Sequence, residues 1–439
     1  DAPAHTAFWP RIQQPALLQR ACFTRGATGG ASTVAYGELV LANNDGALDT
    51  WIDAGFDGRP ILLRCEQAGD AYPDEWATVL TGTMAAPGWE WTSVALRLRD
   101  RQAELDLQPT KYLGNNALPA GLEGVEDLQD QPKPRCYGTV YNIPAVLVNS
   151  SRLIYQVNDG AVQAISAVYD RGAALTVGAV YADQAAMEAT APAAGSFRAW
   201  LAGGYVRLGS TPAGLISADV TQGATAADRT TAQILKALAL QAGIASGAIH
   251  SGDVAALDAA CPAEIGVWWD QEISALRAMD TVAEAAGAWY GFDALGTLRM
   301  ALLAAPDGEP VAELTPWNLL KLEIQTIADG ANNVPVWRVE IQYAVNYSVQ
   351  ESDLAGSVTA ARRGWLAQPF RVAAAQDAGI KTIHPLSEPL IVETPLVSAA
   401  SAASEAARRL ALYGVRRDRV RAVVRLDAPT VAALQLGSV

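Results

Sequence analysis

The chain has 439 residues, with 46 acidic and 32 basic side chains and a formal charge of −14, a balance that disfavours electrostatic capture of nucleic-acid phosphate. Half of its residues are hydrophobic and 18% are charged, which excludes a disordered chain. It is too long for one core, since cores stop growing near ~250–300 residues, and no stretch reaches the ~18 consecutive apolar residues of a membrane span.

The chain starts at Asp1 without Met, so a preceding segment is expected to have been removed or left out. Residues 1 to 10 have no basic head or apolar run, so no signal peptide is visible. Residues 1–33 read as an N-terminal arm. Residues 34–136 read as the first domain, with 32 to 108 as β. Val34, Tyr36, Leu39 and Leu41 lead to a turn at Asn43-Asn44-Asp45-Gly46, and Asp57-Gly58-Arg59-Pro60 makes a second. Ile61 to Cys65 and Trp76 to Leu80 are strand-like, with a break at Gly82. Trp89 and Trp91 would share one strand face, and Val94, Leu96 and Leu98 alternate cleanly. Short strands at this spacing predict a small barrel or sandwich. Asp45, Asp49 and Asp53 invite a calcium reading, but aligning Gly46 with the invariant glycine puts Leu41 at the first ligand position. The stretch from 109 to 135 has little periodicity, and a boundary falls near Gln131-Pro132-Lys133-Pro134.

Residues 137–220 read as a second, β-rich unit. Ala145 to Val148, Leu153 to Val157 and Ala164 to Tyr169 are strands, separated by turns at Asn158-Asp159-Gly160 and Asp170-Arg171-Gly172. A short helix follows from Asp183, as its cap, to about Thr190, and Trp200 to Leu208 returns as strand. Residues 221–350 change to α+β. One helix carries Ile234, Leu235 and Leu238 and ends at Gly243; another starts at Ser274, carries Leu276, Met279, Ala283 and Ala286, and ends at Gly287. Trp289 to Met300 then reads as a hairpin turning at Asp293 to Gly296. Alternation resumes at Leu320, Leu322 and Ile324, and again from Val336 to Tyr347, with Asn332-Asn333 in the turn between. In residues 351–439 a helix spans Ala399 to Tyr413, with Ala399, Ala402, Ala406, Leu410 and Tyr413 on one side and Gly414 as cap. A strand from Val420 to Leu426 follows. Leu434 to Val439 looks like the start of another, so the natural chain is expected to continue. The fold class expected is α+β, mainly β and multidomain.

Concentrated chemistry is missing. His5, His250 and His384 stand apart, no G-x-S-x-G elbow occurs, and Cys22, Cys65, Cys136 and Cys261 form no C-x-x-C pair. The cysteines read as reduced thiols, with convergence of Cys22, Cys65 and Cys136 from separate strands as the alternative. The arginines at 362–363, 408–409 and 416–421 read as solvated or interface faces. No catalytic, cofactor-binding or metal-ligating residue is assigned, and no cofactor is expected.

The order of these pieces carries a resemblance. A β module with the Asn43-Asn44-Asp45-Gly46 hairpin and the Asp57 to Pro60 turn comes first. The helix ending Ala285-Ala286-Gly287 leads into the Trp289 to Met300 hairpin. The helix containing Ala406-Ala407-Arg408-Arg409-Leu410 leads into a strand and Leu436-Gly437. This order resembles bacteriophage tail-hub proteins of tail tips and baseplates. The stretch Tyr141-Asn142-Ile143-Pro144 through Asp219, with Tyr155-Gln156-Val157 and Pro212-Ala213-Gly214, resembles a unit of prophage tail proteins. The resemblance implies tail-tube-like β-barrels in a homotrimeric ring, with the 137–220 unit as an outward insertion. The ring would join tail tube and distal tail proteins to a central fibre or spike. The tape-measure protein and then DNA would pass through its lumen without specific binding, and the protein would be a virion component assembled in the host cytoplasm. It also implies that removing residues 140 to 218 leaves a folded ring-former.

Two other readings stay open. A cell-envelope glycan hydrolase would need two carboxylates ~5–10 Å apart across a sugar cleft. Glu264, Asp270, Glu272 and Asp293 are available, but no pair stands out. A carbohydrate-binding receptor-recognition protein is suggested by the 12 Trp, with Trp268-Trp269 adjacent; filling cores and subunit interfaces is the competing use of those rings.

Overall fold

The computed structural model describes residues 9–19, 21–23, 32, 36–65, 76–305, 309–310, 312–325, 334–416 and 419–424. His5, Val34, the Asn332-Asn333 turn and the expected strand from Leu434 lie outside them. The architecture is α+β and mostly β.

The first sheet contains β1 (Ile12–Gln19), β2 (Tyr36–Ala42), β3 (Pro60–Cys65), β4 (Ala77–Met84), β5 (Gly88–Trp89) and β6 (Ser93–Arg99). Its order is β1-β2-β6-β4-β3, with β5 beside β6. The alternation of Val94, Leu96 and Leu98 turns these side chains onto Leu39, Leu48 and Leu80. The expected barrel is here an open sheet, with β1 and β3 as edges. Gly82 does not break β4. A Cβ there would lie 2.3 Å from the Arg99 carbonyl oxygen, so glycine lets β4 approach β6.

Residues 107–134 are not a slack linker. Tyr112 N–H donates to the Gln131 carbonyl at 2.9 Å, and Tyr112 and Leu122 bury against Val148, Ile154, Tyr181, Met187 and Tyr205. A sandwich follows: β7 (Arg135–Pro144), β8 (Val146–Asn149), β9 (Ile154–Gln156), β10 (Ala164–Asp170), β11 (Ala173–Ala174), β12 (Thr176–Val177), α1 (Gln184–Ala189), β13 (Ser196–Trp200), β14 (Tyr205–Leu208) and β15 (Ile216–Gln222). Asp183 caps α1 by accepting from Ala186 N–H at 2.7 Å. One sheet runs β12-β13-β14-β9-β8. The other runs β11-β10-β15-β7 and continues into a strand from beyond the unit. Phe197, Val206 and Leu208 of the first sheet meet Val140, Ile143, Val168 and Val220 of the second.

The helical layer holds α2 (Thr231–Gln241), α3 (Ser251–Ala260) and α4 (Ala275–Glu284), with β16 (Gly266–Trp269) before α4 and the hairpin β17 (Ala288–Phe292) and β18 (Leu298–Leu302) after it. Leu235, Leu238, Met279, Val282, Tyr290 and Met300 share its core. The sequence reading had no α3. His250 caps it, the ring nitrogen accepting from Asp253 N–H at 3.1 Å. β16 is the strand that extends the sandwich, pairing Gly266 with Gly138 and Trp269 with Arg135 of β7. A Cβ on Gly138 would lie 1.8 Å from the Ile265 carbonyl oxygen, and one on Gly266 1.7 Å from that of Thr139. The sandwich therefore shares its ladder with the helical layer. Deleting 140 to 218 would leave Arg135 to Gly138, the β7 residues that pair with β16, in place, but would remove Val148, Ile154, Tyr181, Met187 and Tyr205 from around Tyr112 and Leu122.

The C-terminal elements are β19 (Leu319–Gln325), β20 (Arg338–Tyr343), α5 (Ala360–Leu366), β21 (Arg371–Gln376), α6 (Ala378–Ile383), β22 (Leu390–Glu393), α7 (Ala399–Tyr413) and β23 (Arg419–Val424). β20 lies between β21 and β22. Val339 and Ile341 of β20 face Ala402 and Ala406 of α7 in the same core as α2 and α4. The buried face of α7 also includes Glu405, Arg409 and Leu412, a rotation from the all-apolar face expected. Among the described residues β19 pairs only with β23, as a two-stranded ribbon.

Candidate assembly surfaces

The ribbon's register is regular from Lys321 to Gln325 and shifts between Leu319 and Lys321. Leu322 stands opposite Ala422, Ile324 opposite Val420, and Glu323 opposite Arg421. Side chains alternate across a strand, so Leu322, Ile324, Val420 and Ala422 share one face, and Lys321, Glu323, Arg421 and Val423 the other. Among the described residues the apolar face is exposed: Leu322 is 57% exposed and Ile324 68%. Lys321 pairs with Glu323 on the polar face. Two strands alone are marginal in water, and an apolar face of this kind marks a contact surface.

A second exposed apolar cluster lies at one end of the first sheet. Ala42 N–H donates to the Arg11 carbonyl at 2.7 Å, and Asn43 N–H to the Thr92 carbonyl at 2.7 Å, so β1, β2 and the turn before β6 meet there. Trp9, Ile12, Ile52 and Trp91 are all exposed on this rim, Trp91 at 96%. Trp51 lies beside them, 5.8 Å from the Phe56 ring. The expected pairing of Trp89 and Trp91 on one strand face does not occur. β5 ends at Trp89, which packs on the core, and Glu90 to Ser93 is a turn that throws Trp91 outward. The calcium-like stretch is part of this rim. Asp45 takes two hydrogen bonds from Arg11, at 2.8 and 2.6 Å, which hold its carboxyl well below the usual range. Asp49 accepts from the Asn43 amide at 2.7 Å. Asp53 is exposed.

Two polar joints stiffen the interior. At the first, Asn142 is fully buried with φ of 52°. Its amide donates to Asn346 Oδ1 at 2.8 Å and to the Ser348 carbonyl at 2.7 Å, and its oxygen accepts from the Ser217 hydroxyl at 2.6 Å. Beside it the Arg362 guanidinium lies 4.0 Å from the Tyr169 ring and 4.5 Å from the Trp365 ring. Arg171 reaches Asp353 at 2.6 Å. The second joint is Arg409, with a side chain only 4% exposed. It donates to Glu405 at 2.6 Å, to the Glu284 carboxylate at 2.7 Å, and to the Glu284 carbonyl. Burial would lower its pKa, but the two carboxylates more than reverse that. Arg409 is therefore buried, and Arg362 and Arg408 are half-buried between elements, where solvated or interface faces were expected. Arg416 and Arg421 are exposed.

Of the carboxylates weighed for catalysis, Glu264, Glu272 and Asp293 have local duties, and Asp270 is exposed. Glu264 pairs with Arg229 at 2.8 Å and Glu272 with Lys111 at 2.6 Å. Asp293 accepts from Leu295 and Thr297 N–H at 2.9 Å, holding the β17–β18 turn. His384 ends α6. Cys136 is buried, and that burial pushes its thiol up to about 12, while Cys65 is exposed on β3. Among the described residues no three His, Cys, Asp or Glu side chains gather as a metal site. Trp268 is buried, and Trp269 sits 5.7 Å from the Tyr137 ring.

Comparisons with known proteins complete the description. No family model and no curated protein matches the chain. Among solved structures it is similar to the 43 kDa tail protein of prophage MuSo2 from Shewanella oneidensis, with 11% identity over 88% of this chain and 71% of that one, at a TM-score of 0.33. A tail protein from Neisseria meningitidis MC58 gives 11% identity over 89% and 71%, at 0.33. A chain of the virion of a native gene transfer agent gives 13% over 50% and 70%, at 0.18. The matched structures are thus tail and virion proteins, and the TM-scores lie below the level that establishes a shared fold.

Proposed function

We propose that the chain is a structural hub of a bacteriophage tail tip or baseplate. The observation that carries this reading is the β19–β23 ribbon. A soluble monomer has little use for a two-stranded element with an exposed apolar face, whereas a subunit of a larger assembly has a neighbour to cover it. The order of sequence elements that resembles tail hubs supplies the kind of assembly. In this reading three copies form a ring that joins the tail tube and distal tail proteins to a central fibre or spike. The parts at 34–136, 221–350 and 351–439 surround the lumen, and the 137–220 unit lies outward. The tape-measure protein and then DNA pass through without specific binding, and the chain does no catalysis. Native mass spectrometry and negative-stain imaging of the concentrated chain test this. Threefold rings support the reading. A chain that stays monomeric at every concentration, or that releases reducing sugar from peptidoglycan, overturns it.

A further inference from the structure

The first sheet keeps its own core. Leu39, Leu48, Leu80, Val94, Leu96 and Leu98 pack on one another, and among the described residues no side chain of the helical layer joins them. The sheet is N-terminal, so the backbone crosses from it into the rest of the molecule once. The crossing runs from Asp100 to Glu104, and Leu105 and Leu107 then anchor on the core of the helical layer. Ala103 and Glu104 are exposed.

The described hydrogen bonds across this seam fall on one turn and one carboxylate. Thr81 N–H donates to the Ala294 carbonyl at 2.7 Å. Arg101 donates to the Gly296 carbonyl at 3.0 Å and lies 5.4 Å from the Phe292 ring. These contacts grip the β17–β18 turn. Ser32 adds a third, its N–H donating to the Asp280 carboxylate at 3.0 Å and its hydroxyl accepting from Gln102 at 3.3 Å.

We infer that the first sheet is a swinging module, clasped at the β17–β18 turn and hinged on residues 100–104. Units that meet through a small polar seam move relative to one another unless a large apolar interface prevents it. Hinges sit at a few residues where elements end, and the end of β6 is such a place. Each bond of the clasp is exchanged for one to water on opening, so the seam opens far more readily than either core unfolds. The sheet thus has two positions, clasped and released, with no change inside it. In an assembly the released sheet meets a neighbour at an angle that the helical layer does not dictate. The inference goes beyond the ring reading and does not depend on it.

The test uses the full chain, diluted until monomeric. In the wild type, single-residue hydrogen exchange should show the Thr81 amide exchanging at least about tenfold faster than the β2–β6 and β17–β18 ladders on either side of it. Arg101→Ala should speed that amide about tenfold further and enlarge the radius of gyration in small-angle scattering, with circular dichroism unchanged. A lock supplies the decisive arm. A Cβ on Gly296 would lie 3.5 Å from the Thr81 Cβ, within the ~3.5–4.5 Å that a disulfide spans. It would also lie 2.9 Å from Arg101 Cδ, which Arg101→Ala removes. In a chain carrying Arg101→Ala, Thr81→Cys and Gly296→Cys, with the 81–296 link confirmed by peptide mapping, oxidation should restore the wild-type scattering and reduction should release it. A wild-type Thr81 amide that exchanges no faster than the two ladders overturns the inference, since the seam then opens only with global unfolding. An Arg101→Ala chain that matches the wild type in both readouts overturns it too, as does a linked chain that scatters alike when oxidised and reduced.

Discussion

Replacing Asn142 separates two costs that the structure superimposes. Asn142→Ala removes an amide that satisfies the Ser348 carbonyl and a carbonyl oxygen that accepts from the Ser217 hydroxyl, at 2.7 and 2.6 Å. Both orphaned groups are buried, and each unsatisfied group costs ~1–3 kcal/mol. Alanine must also keep the left-handed φ of 52°, which asparagine tolerates and alanine resists by about 1 kcal/mol. The sum is a loss of about 5 kcal/mol. Asn142→Gly orphans the same partners but accepts the backbone angle, so it should lose about 1 kcal/mol less. A chain of several units need not unfold in one step, so a local readout is better than a single melting temperature. Hydrogen exchange of the peptides around 139–144 and 344–348 reports the joint directly. Both regions should lose protection together, and more in the alanine variant than in the glycine one. A loss below about 1 kcal/mol for Asn142→Ala, or a glycine variant weaker than the alanine one, would refute the reasoning.

Arg409→Ala should cost about 3 kcal/mol in urea titrations followed by tryptophan fluorescence, because it breaks a buried ion network, although Arg408 still holds Glu405 at 2.7 Å. Ser274→Ala should cost about 1 kcal/mol by the same measurement, from the lost cap on α4. Gly138→Ala or Gly266→Ala should abolish soluble expression, since the new methyl meets backbone that cannot yield; wild-type yields for both would count against the β7–β16 crossing. The pH response should have two opposite parts. Burial alone would raise Asp253, but Arg299 at 2.6 Å holds it below the ordinary range. Its stabilisation is present above the unfolded value near ~3.9 and is lost as pH falls through the lower folded value, and Asp253→Asn should flatten that arm of a melting curve. Burial raises Asp280, so stability falls as pH rises from the unfolded value through the folded one, and Asp280→Asn should remove that fall.

Local grammar was legible in the sequence. Asp183 and Ser274 cap helices, Gly243 ends α2 with φ of 96°, and the Trp289 to Met300 hairpin turns where Asp293 was placed. What failed were inferences about what lies across from an element. Gly82 read as a break because its neighbour, the Arg99 carbonyl, is 17 positions on in the chain. Arg409 read as surface because charge on a helix is ordinarily solvated, and nothing local announces that Glu284 waits on another helix. The β16–β7 pairing crosses the place where composition suggested a boundary, because a ladder partner is chosen by register and not by proximity in sequence. The ribbon shows the limit most plainly. Alternation marked Leu320, Leu322 and Ile324 as one face, but a period of two cannot say whose atoms cover it.

The stem of the sandwich has a consequence for how such a chain could diversify. Pro144 at the end of β7 and Ser217 near the start of β15 are register partners, so the chain leaves and returns at one point. The cost of closing a flexible loop grows only with the logarithm of its length, so this stem is indifferent to the size of what it carries. Sequence between 145 and 215 could lengthen, shorten or be exchanged between lineages while the paired strands below kept their register. The constraints on such grafts are at the base, where any replacement must still cover Val140, Ile143 and Val220, and at the flanks, where it must still meet Tyr112, Leu122, Arg362 and Asp353. Exchange of cassettes at this stem would vary the sandwich while the β7–β15 ladder beneath it kept its register.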